Sequence, residues 1–226
     1  MKSLKSMNTI LRASFFLAIV ILLLPAAPAA AQQDVVTVGT ATGSTIVDVP
    51  IYIRDVSGTP LGIDQPFGQR IQAYSLRLNY APTSAVQSIS INRAGITTPL
   101  TPTFETKPQS PGTIALLDTF DETTNLIPFT SNAAAPGDLV AHLTVTIAPG
   151  TPAGTIIALT LDPVLTELTN QAGSPVTAEN FGNGRLALVN GQITVAAAAP
   201  AIPTLSEWAL ILLAITLAAV VIRMRM

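Results

Sequence analysis

Apolar and polar residues alternate at a period of two in segment after segment of this chain, a pattern that suits extended strands with one dry face. In "VDVPIYIR", Val47, Val49, Ile51 and Ile53 share a face opposite Asp48, Pro50, Tyr52 and Arg54. In "YSLRLNY", Tyr74, Leu76, Leu78 and Tyr80 oppose Ser75, Arg77 and Asn79. In "AHLTVTI", Ala141, Leu143, Val145 and Ile147 oppose His142, Thr144 and Thr146. Six further strands fit residues 35–38, 88–92, 113–118, 155–161, 185–188 and 192–195. Gly/Pro-rich turns separate them, among them "APTSA", "KPQSPG", "AAAPGD" and "APGTPAG". Many short strands with such turns predict an all-β sandwich. Val189-Asn190-Gly191 predicts a hairpin between the last two strands, because Asn and Gly tolerate positive φ. Pro50 cannot donate to a ladder, so its strand is expected at an edge or a bulge. Residues 55–70 are long for a hairpin loop and read as a surface insertion.

The sequence has no cysteine, so no disulfide can brace the fold and its core must suffice. Residues 32–201 carry six Lys/Arg against twelve Asp/Glu, a net charge of −6. Mild acidity without a basic cluster argues against nucleic-acid binding, which needs Lys and Arg on phosphates.

Both ends of the chain are apolar. Lys2, Lys5 and Arg12 precede the run "ASFFLAIVILLL", and small residues follow. That order predicts a signal peptide over residues 1–31, with Ala29 and Ala31 forming the A-x-A site and Gln32 the first residue after cleavage. Its apolar core would span only ~18 Å as a helix, too short for a ~30 Å hydrocarbon layer. After an Ala/Pro linker at 196–201, residues 208–222 form a second apolar run containing one polar residue, Thr216. They are expected to form a transmembrane helix, with Trp208 at the interface and Arg223 and Arg225 as the membrane stop on the cytoplasmic side. The two ends then demand one topology, with the body exported.

The segment at 202–226 has a more specific likeness. Ile202, Pro203, Thr204, Leu205, Ser206, Glu207 and Trp208, followed by an apolar helix and a short Arg-containing tail, resemble the IPTL-type C-terminal sorting signals of Gram-negative bacteria. These belong with the PEP-type (PEP-CTERM-like) signals. The resemblance implies recognition by an exosortase, a membrane-embedded sorting protease that cuts near the motif. It also implies a precursor held transiently in the inner membrane and then sent to the envelope, cell surface or extracellular matrix. The Sec translocon and signal peptidase are the partners implied by the leader.

Over residues 35–195 the order "TVGTATG", "AYSLRLNYAPTSAVQSISI", "GDLVAHLTVTIAPGTPAGTIIALTL" and "NGQITV" resembles the cohesin-type domain. The resemblance implies one jelly-roll β-sandwich of about nine strands at 32–195, related to some carbohydrate-binding modules. Asn79-Tyr80-Ala81-Pro82 lacks the Asp usual before that Pro, and the 55–70 segment lengthens an early connection. Only the fold is therefore carried over, with no binding residues.

Few residues point to chemistry. His142 is the single histidine; it falls on a wet strand face, and no G-x-S-x-G elbow accompanies it. Zinc is disfavoured by one His and no Cys. Asp118, Asp121, Glu122 and Asn125 cluster after a strand and form a candidate calcium or ligand loop, since hard cations take oxygen ligands. Two of its carboxylates could instead serve glycoside hydrolysis. Asp162, Glu167 and Asn170 form a similar set. No Trp lies in the body, and Phe67, Phe104, Phe120, Phe129 and Phe181 fall in or near loops. The expected function is a non-enzymatic adhesion or assembly module whose protein or polysaccharide ligand is left open, with no cofactor beyond calcium. A carbohydrate-binding module, calcium-assisted, is the alternative from another class, and a hydrolase on the loop carboxylates is the third.

Overall fold

The computed structural model describes residues 32–121, 125–170, 177–197 and 205–224. The leader with Ala29 and Ala31, and Glu122, Ile202, Pro203, Thr204 and Arg225, lie outside them. Among the described residues the strands in chain order begin β1 (Asp34–Val38), β2 (Thr40–Gly43), β3 (Ile46–Arg54), β4 (Ala73–Ala81) and β5 (Val86–Arg93). They continue β6 (Phe104–Thr106), β7 (Gln109–Ser110), β8 (Thr113–Thr119), β9 (Asp138–Ile147) and β10 (Ile156–Leu161). β11 (Glu167–Thr169), β12 (Ala178–Asn180), β13 (Leu186–Val189) and β14 (Gly191–Val195) complete the set. A helix, α1 (Leu205–Met224), follows.

All nine expected strands are present, and β2, β6, β7, β11 and β12 are additions. The additions are two to four residues long, too short for a period to declare itself. One sheet runs β13-β1-β3-β9-β5. The other runs β12-β11-β4-β10-β14-β2, with β8 on the free side of β4 and β6 and β7 beyond it.

The alternating faces meet in one core. Val49, Ile51, Ile53, Leu143 and Val145 from the first sheet face Leu76, Leu78, Leu116, Ile157 and Leu159 from the second, all fully buried. Truncating one, as in Leu78→Ala, would cost about 2–5 kcal/mol. Tyr74 and Tyr80 point inward as expected, whereas Phe120 and Phe129 are core residues rather than loop surface.

Three local expectations are corrected. Residues 186–195 form no hairpin: β13 pairs in parallel with β1 in one sheet, and β14 pairs with β10 and β2 in the other. Asn190 spends its side chain elsewhere, its Oδ1 accepting from the Leu161 N–H at 2.9 Å. The chain changes sheets at Gly191, beside the point where β1 hands over to β2 at Gly39. A Cβ on Gly191 would overlap the Gly39 carbonyl oxygen, and one on Gly39 would lie 2.9 Å from Pro50 Cγ. Two parallel strands thus cross between sheets together, at a contact that only glycine permits.

Pro50, second, lies in the interior of its sheet, with β3 between β1 and β9. Its carbonyl accepts from Gly39 N–H at 2.8 Å, so its ring nitrogen also faces the end of β1, where the ladder has stopped. Only the edge half of the expectation is corrected: the irregularity expected of a bulge falls next door, where the β3–β9 register shifts between Ile51 and Tyr52.

Third, the segment expected at 55–70 as a surface insertion is anchored inward and runs on to Gln72, although Phe67 stays exposed. Leu61 and Ile71 are buried in the core and Asp55 and Thr59 beneath it, so the segment plugs one end of the sandwich.

Thr216 of α1 returns its hydroxyl to the Leu212 and Leu213 carbonyls at 3.0 and 2.8 Å, which hides its one polar group within the helix. Among the described residues no helix is long and apolar enough to cross a membrane. Leu210, Ile211, Leu212, Leu213, Ile215 and Leu217 of α1 are exposed.

Candidate functional site

Of the expected loop set, Asp118, Asp121 and Asn125 are among the described residues, and Asp118 is not in a loop. Asp118 lies within β8 on the face of Ile114 and Leu116, is 1 % exposed, and accepts from Tyr74 Oη at 2.7 Å. Burial pushes its carboxyl up to about 6 against the lowering effect of that hydrogen bond. Asp121 accepts from the Asn125 N–H at 3.0 Å through its backbone carbonyl, and Asn125 Oδ1 meets Thr101 N–H at 3.5 Å. Asp162 caps a turn, its Oδ1 accepting from Val164 and Leu165 N–H at 2.9 and 3.1 Å. Asn170 bridges the Gly68 carbonyl and the Thr177 N–H, both within 3.0 Å. His142 is half-buried on the outer face of β9. Among the described residues no set of three or more His, Cys, Asp or Glu side chains could hold a metal ion.

A different acidic set comes together from two strand ends and one short strand that the sequence does not announce. Asp34 opens β1, Asp55 follows β3, and Glu179 is the middle residue of β12; they are 0, 1 and 0 % exposed. Each uses one oxygen to hold the 55–72 segment. Asp34 Oδ1 accepts from Val56 N–H at 2.8 Å and Thr59 Oγ1 at 3.3 Å. Glu179 Oε1 accepts from Leu61 N–H at 2.9 Å, and Asp55 Oδ2 from Ile63 N–H at 2.7 Å. The second oxygens, Asp34 Oδ2, Glu179 Oε2 and Asp55 Oδ1, are buried with no donor. Asp64 lies close by: its Oδ2 accepts from Gly58 N–H at 3.1 Å, and its Oδ1 reaches the empty side of Gly62, as does Asp55 Oδ1.

Asp34 and Glu179 meet across the plug: each is fully buried, each holds a backbone N–H of the 55–72 segment, and each is the other's electrostatic neighbour. Burial pushes Asp34 up to about 9, helped by the neighbouring Glu179. Burial also raises Glu179, against the hydrogen bonds from Asp34 and the Leu61 N–H. Asp55 is raised to about 6 by burial, opposed by the Ile63 N–H.

Strand parity is the signal in the sequence that points to them. Asp34 continues the face of Val36 and Val38, Asp55 that of Ile51 and Ile53, and Asp118 that of Ile114 and Leu116. Extending each buried face by one step places all three carboxyls inside. Glu179 carries no such mark, because β12 is three residues long.

The comparisons with known proteins divide between the two parts of the chain. Residues 200–226 match the IPTL-CTERM motif. No curated protein matches the chain in sequence. The sandwich is similar to the seventh ScaB type I cohesin of Pseudobacteroides cellulosolvens, with 20 % identity and a TM-score of 0.51, covering 76 % of this chain and 98 % of that one. It is similar to the sixth cohesin of scaffoldin B of Acetivibrio cellulolyticus, solved in complex with a dockerin, at 17 % identity and a TM-score of 0.51, covering 73 % and 99 %. CaCohA2 of Clostridium acetobutylicum gives 20 % identity, a TM-score of 0.50, and coverage of 75 % and 94 %. At these identities the likeness shows the fold, and with the motif it defines the chain: a cohesin-like β-sandwich followed by an IPTL-type C-terminal sorting signal.

Proposed function

We propose that this chain is an exported, non-enzymatic adhesion or assembly module, held at the inner membrane by residues 202–226 until an exosortase-type protease releases its body to the envelope or cell surface. The observation that carries the reading is the IPTL-CTERM motif placed behind a cohesin-like sandwich. The apolar 208–222 segment, with Arg223 and Arg225 behind it, supports a transient membrane hold. The motif at 202–208 then acts as the protease's substrate. The leader at 1–31 supplies the export that the tail requires. Contact with a protein partner suits the sandwich, whose outer strand faces carry polar side chains such as Asp48, His142, Thr144 and Thr146. On β9 and β3, for example, Thr144 Oγ1 donates to Asp48 Oδ1 at 2.6 Å, holding both side chains in place. The dockerin bound to the Acetivibrio relative is a precedent for a sandwich of this fold gripping a protein.

Intact mass and cell fractionation, in cells with and without the sorting protease, test the reading. The expected product begins at Gln32, ends near 202–208, and lies outside the inner membrane only where the protease is present. A full-length tail in the inner membrane of both strains would overturn the sorting step.

A further inference from the structure

We propose that Asp34 and Glu179 form a proton-operated latch: a single shared proton ties β1 and the 55–72 segment to β12, and its loss loosens that end of the sandwich. The argument rests on which atoms have partners. Asp34 Oδ1 and Glu179 Oε1 each accept a backbone N–H, from Val56 and Leu61, which leaves the other oxygen of each carboxyl to be satisfied. Those are Asp34 Oδ2 and Glu179 Oε2, the atoms buried without a donor. Two ionised carboxylates offer acceptors only, whereas one proton between them converts a repulsion into a hydrogen bond. The proton belongs to the pair.

The surroundings supply little to replace it. Asp55, just after β3, adds negative charge beside Glu179, and Asp64 in the plug and Asp138 at the start of β9 add it beside Asp55. Arg185, just before β13, is the cation that acts on Glu179. The Thr59 hydroxyl has one proton to give and lies nearer the Leu61 carbonyl, at 2.6 Å within the plug itself, than Asp34, at 3.3 Å. None of the ion pairs among the described residues involves Asp34, Asp55 or Glu179.

The direction of the pH effect follows from the raised carboxyls. A group whose folded value lies above its unfolded one stabilises fully below the unfolded value, and that stability is lost as pH rises through the folded value. Asp55, raised to about 6, therefore acts mainly on the acid side of neutrality. The latch acts above it, up to the value of about 9 to which Asp34 is raised.

The test measures thermal midpoints of the full chain in detergent, near neutral pH and at about pH 9.5, with chelator and with excess calcium. In chelator the wild type should lose about 5 °C or more on going alkaline. Asp34→Asn should lose much less, because its amide donates to Glu179 with no proton to surrender. Glu179→Gln should behave in the same way, which keeps the test open if one variant fails to fold. Amide exchange at Val56 and Leu61 should accelerate at alkaline pH more in the wild type than in the variants. An equal loss in wild type and both variants overturns the latch. A calcium-dependent recovery confined to the wild type also overturns it, by showing that a cation rather than a proton joins the two carboxylates.

Discussion

The two long edges of the sandwich are closed by different means. On one edge the backbone does the work: β1 passes into β2 and β13 into β14 at a glycine-to-glycine contact, so two strands bridge both sheets. On the other edge, β5 of the first sheet is clipped to β6 of the second by side chains. Arg93 Nε lies 2.7 Å from Glu105 Oε2, and Lys107 Nζ lies 2.9 Å from Glu105 Oε1. Arg93 Nη1 also donates to the Thr97 and Leu100 carbonyls at 2.8 and 2.6 Å, and its guanidinium sits 6.0 Å from the Phe120 ring centroid. Lys107 Nζ donates to Asn92 Oδ1 at 2.9 Å. The first closure is steric and indifferent to solution conditions. The second is electrostatic, partly wet, and open to screening.

Gly191→Ala should produce the largest effect, because the added methyl must displace the Gly39 backbone rather than a side chain. Loss of about 4 kcal/mol or more, or failure to fold, is expected in urea denaturation. A change of less than about 1 kcal/mol would dissolve the distinction between the two edges. Arg93→Ala should come next at about 1–3 kcal/mol, since it removes hydrogen bonds from a charged donor to one carboxylate and two carbonyls. Glu105→Gln should be mildest, at about 0.5–1 kcal/mol, because the ion pairs it weakens are partly solvated. Its cost should shrink in high salt while that of Gly191→Ala stays constant. Equal salt sensitivity in both variants would show that the contrast lies elsewhere.

The same contrast separates what the sequence discloses from what it hides. Buried alternation names the nine principal strands and their inner faces, because each side chain's choice of face is a local property. Which strands become neighbours is not local. Asn190-Gly191 has the chemistry of a tight turn, yet the parallel partners β1 and β2 draw its flanking residues into separate sheets. Asp118 closes the expected strand 113–118 and groups in sequence with the acidic residues that follow it, although its parity with Ile114 and Leu116 places it inside against Tyr74. The cluster of Asp34, Asp55 and Glu179 joins residues more than a hundred positions apart, and only the folded topology assembles it. At the C-terminus the sequence is fully sufficient, because the motif at 200–226 is linear.

The shared crossover also sets a load path. Tension applied to the chain beyond Val195 enters β14, which is held by β10 in antiparallel and by β2 in parallel register. A pull directed along β14 strains those two ladders lengthwise, so their bonds share the load and must fail together; a pull across it would break them one at a time. β2 passes the load through Gly39 to β1 in the opposite sheet, so a tether at the tail tugs on both halves of the sandwich at once. While the tail holds the body, as proposed above, a pull from that side would be carried by two ladders and by both sheets.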